Sequence, residues 1–260
     1  MFFVVFYIVD LQNIFISLIL LNSFMNIIKY GGSRVSPSAG VHDDVFIDSL
    51  IELVNGYRDQ EFMVIIGGGA LARHKQAQEP KADNDRKDWL GIEATWENAK
   101  YVIDRFVDSG VEGVYNQVIK NPHEKVGGHR IYVAGGYEPG NSTDYVTMLL
   151  ARNYGASRVI KVSDFDVVKD ISPLELAKYD KKDWSEVLGR TPDLNNATWR
   201  KMRELVGEEW KPGLNTPLDP LACGVGLESS QIELYICREN QIRNVLDGNL
   251  DRYVGTIIKD

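Results

Sequence analysis

From Met25 onward, short apolar runs alternate with longer stretches whose apolar residues recur at helical spacing, the pattern of strands joined by crossover helices. NIIKY (26–30) predicts a strand that runs into Gly31 and Gly32. DDVFIDSLIELVNGYRD (43–59) predicts a helix, and EFMVII (61–66) a second strand, ending in Gly67, Gly68 and Gly69. GIEATWENAKYVIDRFVDSG (91–110) reads as the next helix, GVYNQVI (113–119) as a short strand, and RIYVAGG (130–136) as a strand that again ends in glycine. Behind it TDYVTMLLARNYGA (143–156) predicts a helix and SRVIKVSD (157–164) a strand. A polar, tryptophan-bearing segment follows from 170 to 216. QIELYICR (231–238) then predicts a strand, NQIRNVLDG (240–248) a short helix and GTIIKD (255–260) a terminal strand. The polar stretch HKQAQEPKADNDRKD (74–88) predicts an exposed loop or lid. The expected class is α/β, a three-layer αβα sandwich on a mainly parallel central sheet. Ligands are then expected outside the carboxyl ends of the strands, where the glycine turns lie.

Residues 1–24 break this pattern. MFFVVFYIVDLQNIFISLILLNSF is long enough to cross a bilayer, yet Asp10, Gln12 and Asn13 sit mid-run, where a charge costs about 2.5–3.5 kcal/mol. No Lys or Arg precedes Lys29, and there is no small-residue cleavage site, so the segment does not read as a secretory signal. It reads either as sequence upstream of a start at Met25 or as a membrane anchor. Residues 25–260 are expected to form one domain. The 260 residues are 44% hydrophobic, enough for one core of ordinary size.

With 29 basic against 37 acidic residues, the net charge of −8 excludes a diffuse basic surface for nucleic acid or anionic lipid. Phosphate, if bound, must be held by a few placed cations. The two cysteines, Cys223 and Cys237, and four scattered histidines show no metal-ligand spacing, so neither a disulfide framework nor a zinc site is expected. A reducing cytoplasm is the natural setting.

Glycine after a strand lets backbone N–H groups converge on an anion, and three such turns point to a ligand with several phosphates. Neither a P-loop pattern nor the protein-kinase signature set is present. In KYGGS, Lys29 ends the first strand directly before two glycines and Ser33, where an ammonium can reach phosphoryl oxygens. A lysine exposed at a strand end is the plainer reading. Ser142 and Asp144 at the head of a helix likewise suit an N-cap.

KYGGSRVS, IIGGGALAR, DWLGIEATWENA, GGYEPGNSTDYVTMLLARNYGA, PLDPLAC and the closing GTII resemble, in that order, the blocks of the amino acid kinase superfamily, within it most closely the archaeal type of uridylate kinase. The match runs through essentially all of residues 25–260. It implies the amino acid kinase (carbamate kinase-like) fold and phosphorylation of UMP to UDP with ATP and Mg²⁺, in pyrimidine nucleotide biosynthesis. It also implies a homo-oligomer, commonly a hexamer in such kinases. Carried over residue by residue, Lys29, Gly31, Gly32 and Ser33 match the segment that holds the transferring phosphoryl group. Gly67, Gly68 and Arg73 match positions on the phosphate of UMP, Asp88 the carboxylate on its ribose, and Gly136, Ser142 and Thr143 the segment near uracil. Asp144 matches the carboxylate that orders catalytic lysines and metal, and Lys161 a second phosphate contact. Ser163, Asp164, Asp166 and Asp170 fall in the ATP-base loop. That loop departs from the family pattern at Val167, usually glycine, and Lys169, usually aromatic. Trp96 stands where arginine is common, with a subunit contact or a nucleotide contact at stake.

The implied reaction attacks with an oxygen that is already anionic, so it needs alignment and charge neutralisation rather than a general base. Two other readings keep the fold: a kinase for a carboxylate, carbamate or isoprenoid phosphate, and a non-catalytic nucleotide-binding or storage protein.

Overall fold

Side chains alternate along a strand, so each strand residue joins one of two cores. In the computed structural model, which describes residues 25–208 and 216–260, Ile27, Met63, Ile65, Tyr132 and Val159 join one core. Ile28, Val64, Ile66, Val133 and Ile160 join the other. The expectations for residues 1–24 lie outside the described residues.

The strands are β1 (Met25–Tyr30), β2 (Glu61–Ile66), β3 (Val114–Ile119), β4 (Ile131–Ala134), β5 (Arg158–Val162), β6 (Asn196–Ala197), β7 (Glu233–Cys237) and β8 (Thr256–Ile258). They form one eight-stranded sheet in the order β3-β4-β2-β1-β5-β7-β8-β6. Every pairing is parallel except β7 with β8. The helices are α1 (Gly32–Val35), α2 (Asp44–Gly56), α3 (Gly69–Gln78), α4 (Asn84–Asp108), α5 (Thr143–Tyr154), α6 (Pro173–Leu176), α7 (Trp184–Arg190), α8 (Trp199–Val206), α9 (Pro220–Glu228) and α10 (Ile242–Leu246). Buried residues of α2, α4 and α10 pack on one face of the sheet, and those of α5, α8 and α9 on the other. This is the αβα sandwich that the periodicity predicts. After β4 the chain crosses β1 and returns as β5 on its far side. The winding therefore reverses at β1, and the carboxyl ends of β2, β1 and β5 flank a switch point.

Two stretches differ from the sequence reading. Segment 74–88 is mostly helical: α3 continues to Gln78, and α4 begins at Asn84, capped by Asp83, whose carboxylate accepts from the Arg86 N–H at 2.8 Å. Only 79–83 is the turn. No residue of α3 is buried, so no apolar stripe marks it. Instead the Gln76 amide donates to the Lys87 carbonyl at 2.9 Å and ties α3 to α4. The second is α9, PLACGVGLE, apolar nearly all round and containing two glycines, so helical periodicity does not reveal it. Its start is nonetheless written locally, with Asp219 as N-cap and Pro220 at the first helical position.

The polar segment 170–216 hides a core anchor. Trp199 is fully buried, and its indole N–H donates to the Ile232 carbonyl at 3.0 Å. A Cβ on Gly226 would stand 2.3 Å from the Trp199 ring. The rigid indole cannot yield, so Gly226→Ala should destabilise the domain by about 1–3 kcal/mol. Urea unfolding reads this as a lower midpoint at unchanged m-value, and an unchanged midpoint would show that α9 and α8 separate freely. Among the described residues no helix is long and apolar enough to cross a membrane.

Candidate active site

Parallel pairing sets Lys29 of β1 directly beside Lys161 of β5. The first turn of α5 brings Asp144 between them. Its Oδ2 accepts a hydrogen bond from Lys161 Nζ, and Lys29 Nζ lies 3.0 Å from Oδ1, at ion-pair distance but off the hydrogen-bond direction. The three side chains are only 12–13% exposed. Burial alone would raise the Asp144 pKa, but the Lys161 and Lys29 charges outweigh it and hold the carboxyl well below the usual carboxylate range. Burial lowers the Lys161 pKa, against the pull of Asp144 and with the push of Lys29. Two ammonium groups share one ion-paired carboxylate, and the buried Asp219 carboxylate acts on Lys161 only from beyond ion-pair distance, so both lysines keep capacity for a further anion.

Beside this cluster two glycine turns meet backbone to backbone. A Cβ on Gly32 would stand 2.1 Å from the Gly69 nitrogen, and Gly69 itself has φ +60°. Only glycine fits these two positions, whatever the turns bind. The buried Asn98 amide locks the second turn by donating to the carbonyls of Gly67 at 3.0 Å and Gly68 at 3.2 Å.

A cleft of 370 Å³ opens on the α3–α4 side, lined by Gly68, Arg73, Asp88, Gly136, Ser142 and Thr143, with Asp219 at its inner wall. Gly67 lies buried beneath it. Arg73 is exposed and has no carboxylate partner among the described residues, unlike Arg34, Arg86, Arg105 and Arg238. Asp88 Oδ2 accepts from the Gly140 N–H at 2.8 Å, and Ser142 Oγ caps α5 by accepting from the Tyr145 N–H at 3.1 Å. The helix-cap reading of Ser142 holds, and the same residue faces the cleft. Gly136 is fixed by its N–H on Thr95 Oγ1 at 2.6 Å and by the Trp96 indole N–H on its carbonyl at 2.8 Å. Trp96 thus braces the cleft wall, while Lys120 Nζ stands 4.1 Å over its ring.

On the other side Gly31, Ser33, Lys161, Ser163 and Asp164 line a cleft of 590 Å³. A larger one of 850 Å³ has apolar walls from Val167, Leu176, Trp184 and Leu188 and includes Asp164 and Asp166. The Ser163 hydroxyl donates to the Phe165 carbonyl at 2.7 Å and shapes the turn between them. Lys29 and Gly32 lie under the clefts rather than on their walls. Asp170 pairs with Lys201 at 2.8 Å, a partner 31 residues away that local sequence does not show, and it stands outside the walls of these clefts. Val167 creates no strain, since no non-glycine residue has positive φ among the described residues. Lys169 closes on Asp193 at 2.6 Å at the wall of the larger cleft.

The sequence reading gave no role to Asn98, Asp219, Arg34 or Arg238, although the first three fall inside the quoted blocks DWLGIEATWENA, PLDPLAC and KYGGSRVS. Asp219 also carried a local signal, the Asp-Pro helix start, whereas Arg238 is placed by tertiary contacts alone.

The model of the amino acid kinase family matches residues 25–189. The chain is 30% identical to the uridylate kinase of Pyrococcus abyssi over 236 residues, covering 88% of this chain and 96% of that one. It is 28% identical to the uridylate kinase of Thermococcus kodakarensis, with the same shares covered, 88% and 96%. The crystal structure of uridylate kinase from Archaeoglobus fulgidus superposes with a TM-score of 0.67 at 26% identity, covering 90% of this chain and all of the other. The UMP kinase of Bacillus anthracis, 17% identical, shares the fold with a TM-score of 0.66 over 91% of this chain and 96% of that one.

Proposed function

The chain belongs to the amino acid kinase family, and from that membership and the two-sided geometry of the site we propose that it transfers the γ-phosphoryl group of ATP to the α-phosphate of UMP, giving UDP and ADP. One observation carries the reading. The Lys29–Asp144–Lys161 cluster sits at the border of the clefts: Thr143, adjacent to Asp144, lines the 370 Å³ cleft, and Lys161 lines the 590 Å³ one.

UMP occupies the first cleft. Arg73 supplies a guanidinium to its phosphate, Asp88 a carboxylate to the ribose hydroxyls, and Gly136, Ser142 and Thr143 the wall beside the base. Gly67 and Gly68 shape the floor under the phosphate. The donor's terminal phosphate lies by Gly31, Gly32 and Ser33, and its nucleoside runs along Ser163, Asp164 and Asp166 into the larger cleft, where apolar walls suit a base. Lys29 and Lys161 neutralise the charge that two polyanions bring together, and Asp144 holds both ammonium groups in place before substrate arrives.

Among the described residues no group of three His, Cys, Asp or Glu side chains forms a metal site. A Mg²⁺ carried on donor phosphates needs only one or two protein carboxylates. Asp219 offers one carboxylate oxygen at the wall of the acceptor cleft: it is 4% exposed and has no ion-pair partner among the described residues, its Oδ1 accepting from the Leu221 N–H at 2.6 Å. Bound there, the ion would screen charge on the transferring phosphoryl group.

An acceptor panel with ATP and Mg²⁺, run on the full chain and on the chain beginning at Met25, tests the reading. UMP should be preferred over carboxylate, carbamate and isoprenoid phosphate acceptors, and preference for any of those overturns the assignment. Equal activity of the two chains would support residues 25–260 as the catalytic unit. Sedimentation of the same samples tests the proposed homo-oligomer.

Arg73→Ala should raise KM for UMP by roughly 10- to 100-fold, the worth of a charge-assisted hydrogen bond, with a smaller effect on kcat. A KM for UMP within twofold of wild type would remove Arg73 from the acceptor phosphate.

A further inference from the structure

Arg238 lies at the junction of the two donor-side clefts. It lines both the 590 Å³ cleft, which holds Gly31, Ser33 and Lys161, and the 850 Å³ cleft, which holds Trp184 and Leu176. A nucleotide with its base in the apolar cleft and its terminal phosphate at the glycine turn must pass this residue. We propose that Arg238 is a donor-phosphate contact which the free protein parks on Asp166, and which exchanges that carboxylate for a phosphate oxygen when the nucleotide binds. The proposal rests on the donor reading given above.

Three observations carry it. Arg238 Nε donates to Asp166 Oδ1 at 2.7 Å, and the two side chains are 48% and 63% exposed, so the pair is surface-screened and cheap to open. The neighbouring acid, Glu239, is already taken by Arg34 at 2.6 Å and does not compete for Arg238. Finally, Arg238 directly follows β7, which pairs in register with β5, so it reaches the cleft from a fixed strand end rather than from a free loop. A guanidinium so placed can meet phosphate oxygens with two parallel N–H groups, an arrangement stronger than a half-solvated ion pair.

The competing account is that Arg238 only tethers the loop carrying Asp166. Binding of a non-hydrolysable ATP analogue and of adenosine, measured by calorimetry on the full chain, separates the two. Arg238→Ala should weaken the analogue by roughly 10- to 100-fold and leave adenosine within about twofold. Arg238→Lys, which keeps the charge but not the fork, should recover part of the loss. KM for UMP and the thermal midpoint of the nucleotide-free protein should not move. A parallel loss for the analogue and adenosine would show a tether and overturn the proposal. So would unchanged analogue binding in a chain whose wild type phosphorylates UMP, with the donor reading left standing. A wild type that binds neither ligand overturns both.

Discussion

Lys29→Ala should lower turnover by roughly 10²- to 10³-fold, the scale seen when one preorganised charge donor is removed from a transition state. UMP binding should stay nearly intact. The separation follows from where the groups sit: Arg73 and Asp88 line the cleft proposed for the acceptor, whereas Lys29 lies under it against Asp144. The variant should also fold well. Removing Lys29 leaves Asp144 and Lys161 as a one-to-one pair and relieves the repulsion between two neighbouring ammonium groups. The loss of rate therefore cannot be laid to an unfolded site. A coupled ADP-release assay gives kcat, and calorimetry gives UMP affinity. Near-normal turnover would take Lys29 out of the transition state and with it the proposed centre of the reaction.

How much of this was legible in the chain depends on whether the signal is local. Strands that run into Gly31–Gly32, Gly67–Gly69 and Gly135–Gly136 announce both the sheet and the carboxyl edge on which sheets of this kind bind ligands. Local chemistry likewise marks Ser142 and Asp144 at a helix head. What sequence does not announce is adjacency. Lys29 and Lys161 become partners only because β5 returns beside β1, 132 residues later in register, a fact of topology. The resemblance to a known family supplied Lys161, where physics alone had nothing to say. Segment 74–88 was misread because helix α3 has no buried face; its polarity looks like a loop, although Asp83 offers a cap. The Asp170–Lys201 pair is another such adjacency, 31 residues apart and invisible to local spacing. Arg238 likewise reaches the junction of two clefts through the sheet topology, which no spacing encodes.

The remaining large effect concerns Asp144. Asp144→Asn leaves two buried ammonium groups facing a neutral amide. It should cost about 3–5 kcal/mol of stability near neutral pH, the range for breaking a buried ion pair from one side. Turnover should fall at least as far as for Lys29→Ala, because both lysines lose their anchor. The pH dependence identifies the cause. In the wild type the folded pKa of Asp144 is depressed, so its contribution is complete above about pH 4, the unfolded value, and is lost as pH falls through the lower folded value. The variant lacks that acid-side loss, so its deficit should shrink below pH 4. On the alkaline side the sign reverses through Lys161. Its folded pKa is below the unfolded lysine value of about 10.4, so between the two the unfolded chain holds more protons and stability rises with pH. Without Asp144 to keep Lys161 charged, that window should open at lower pH in the variant, and its deficit should also narrow as pH rises towards 10. Urea midpoints at about pH 2.5, 7 and 9.5 read both limbs, the first lying below the unfolded carboxylate value. Adding Lys161→Met to Asp144→Asn removes one unpaired charge and should restore most of the stability but none of the turnover. A deficit that stays constant across pH, or a double variant no more stable than the single one, would mean that Asp144 holds α5 by packing rather than by charge.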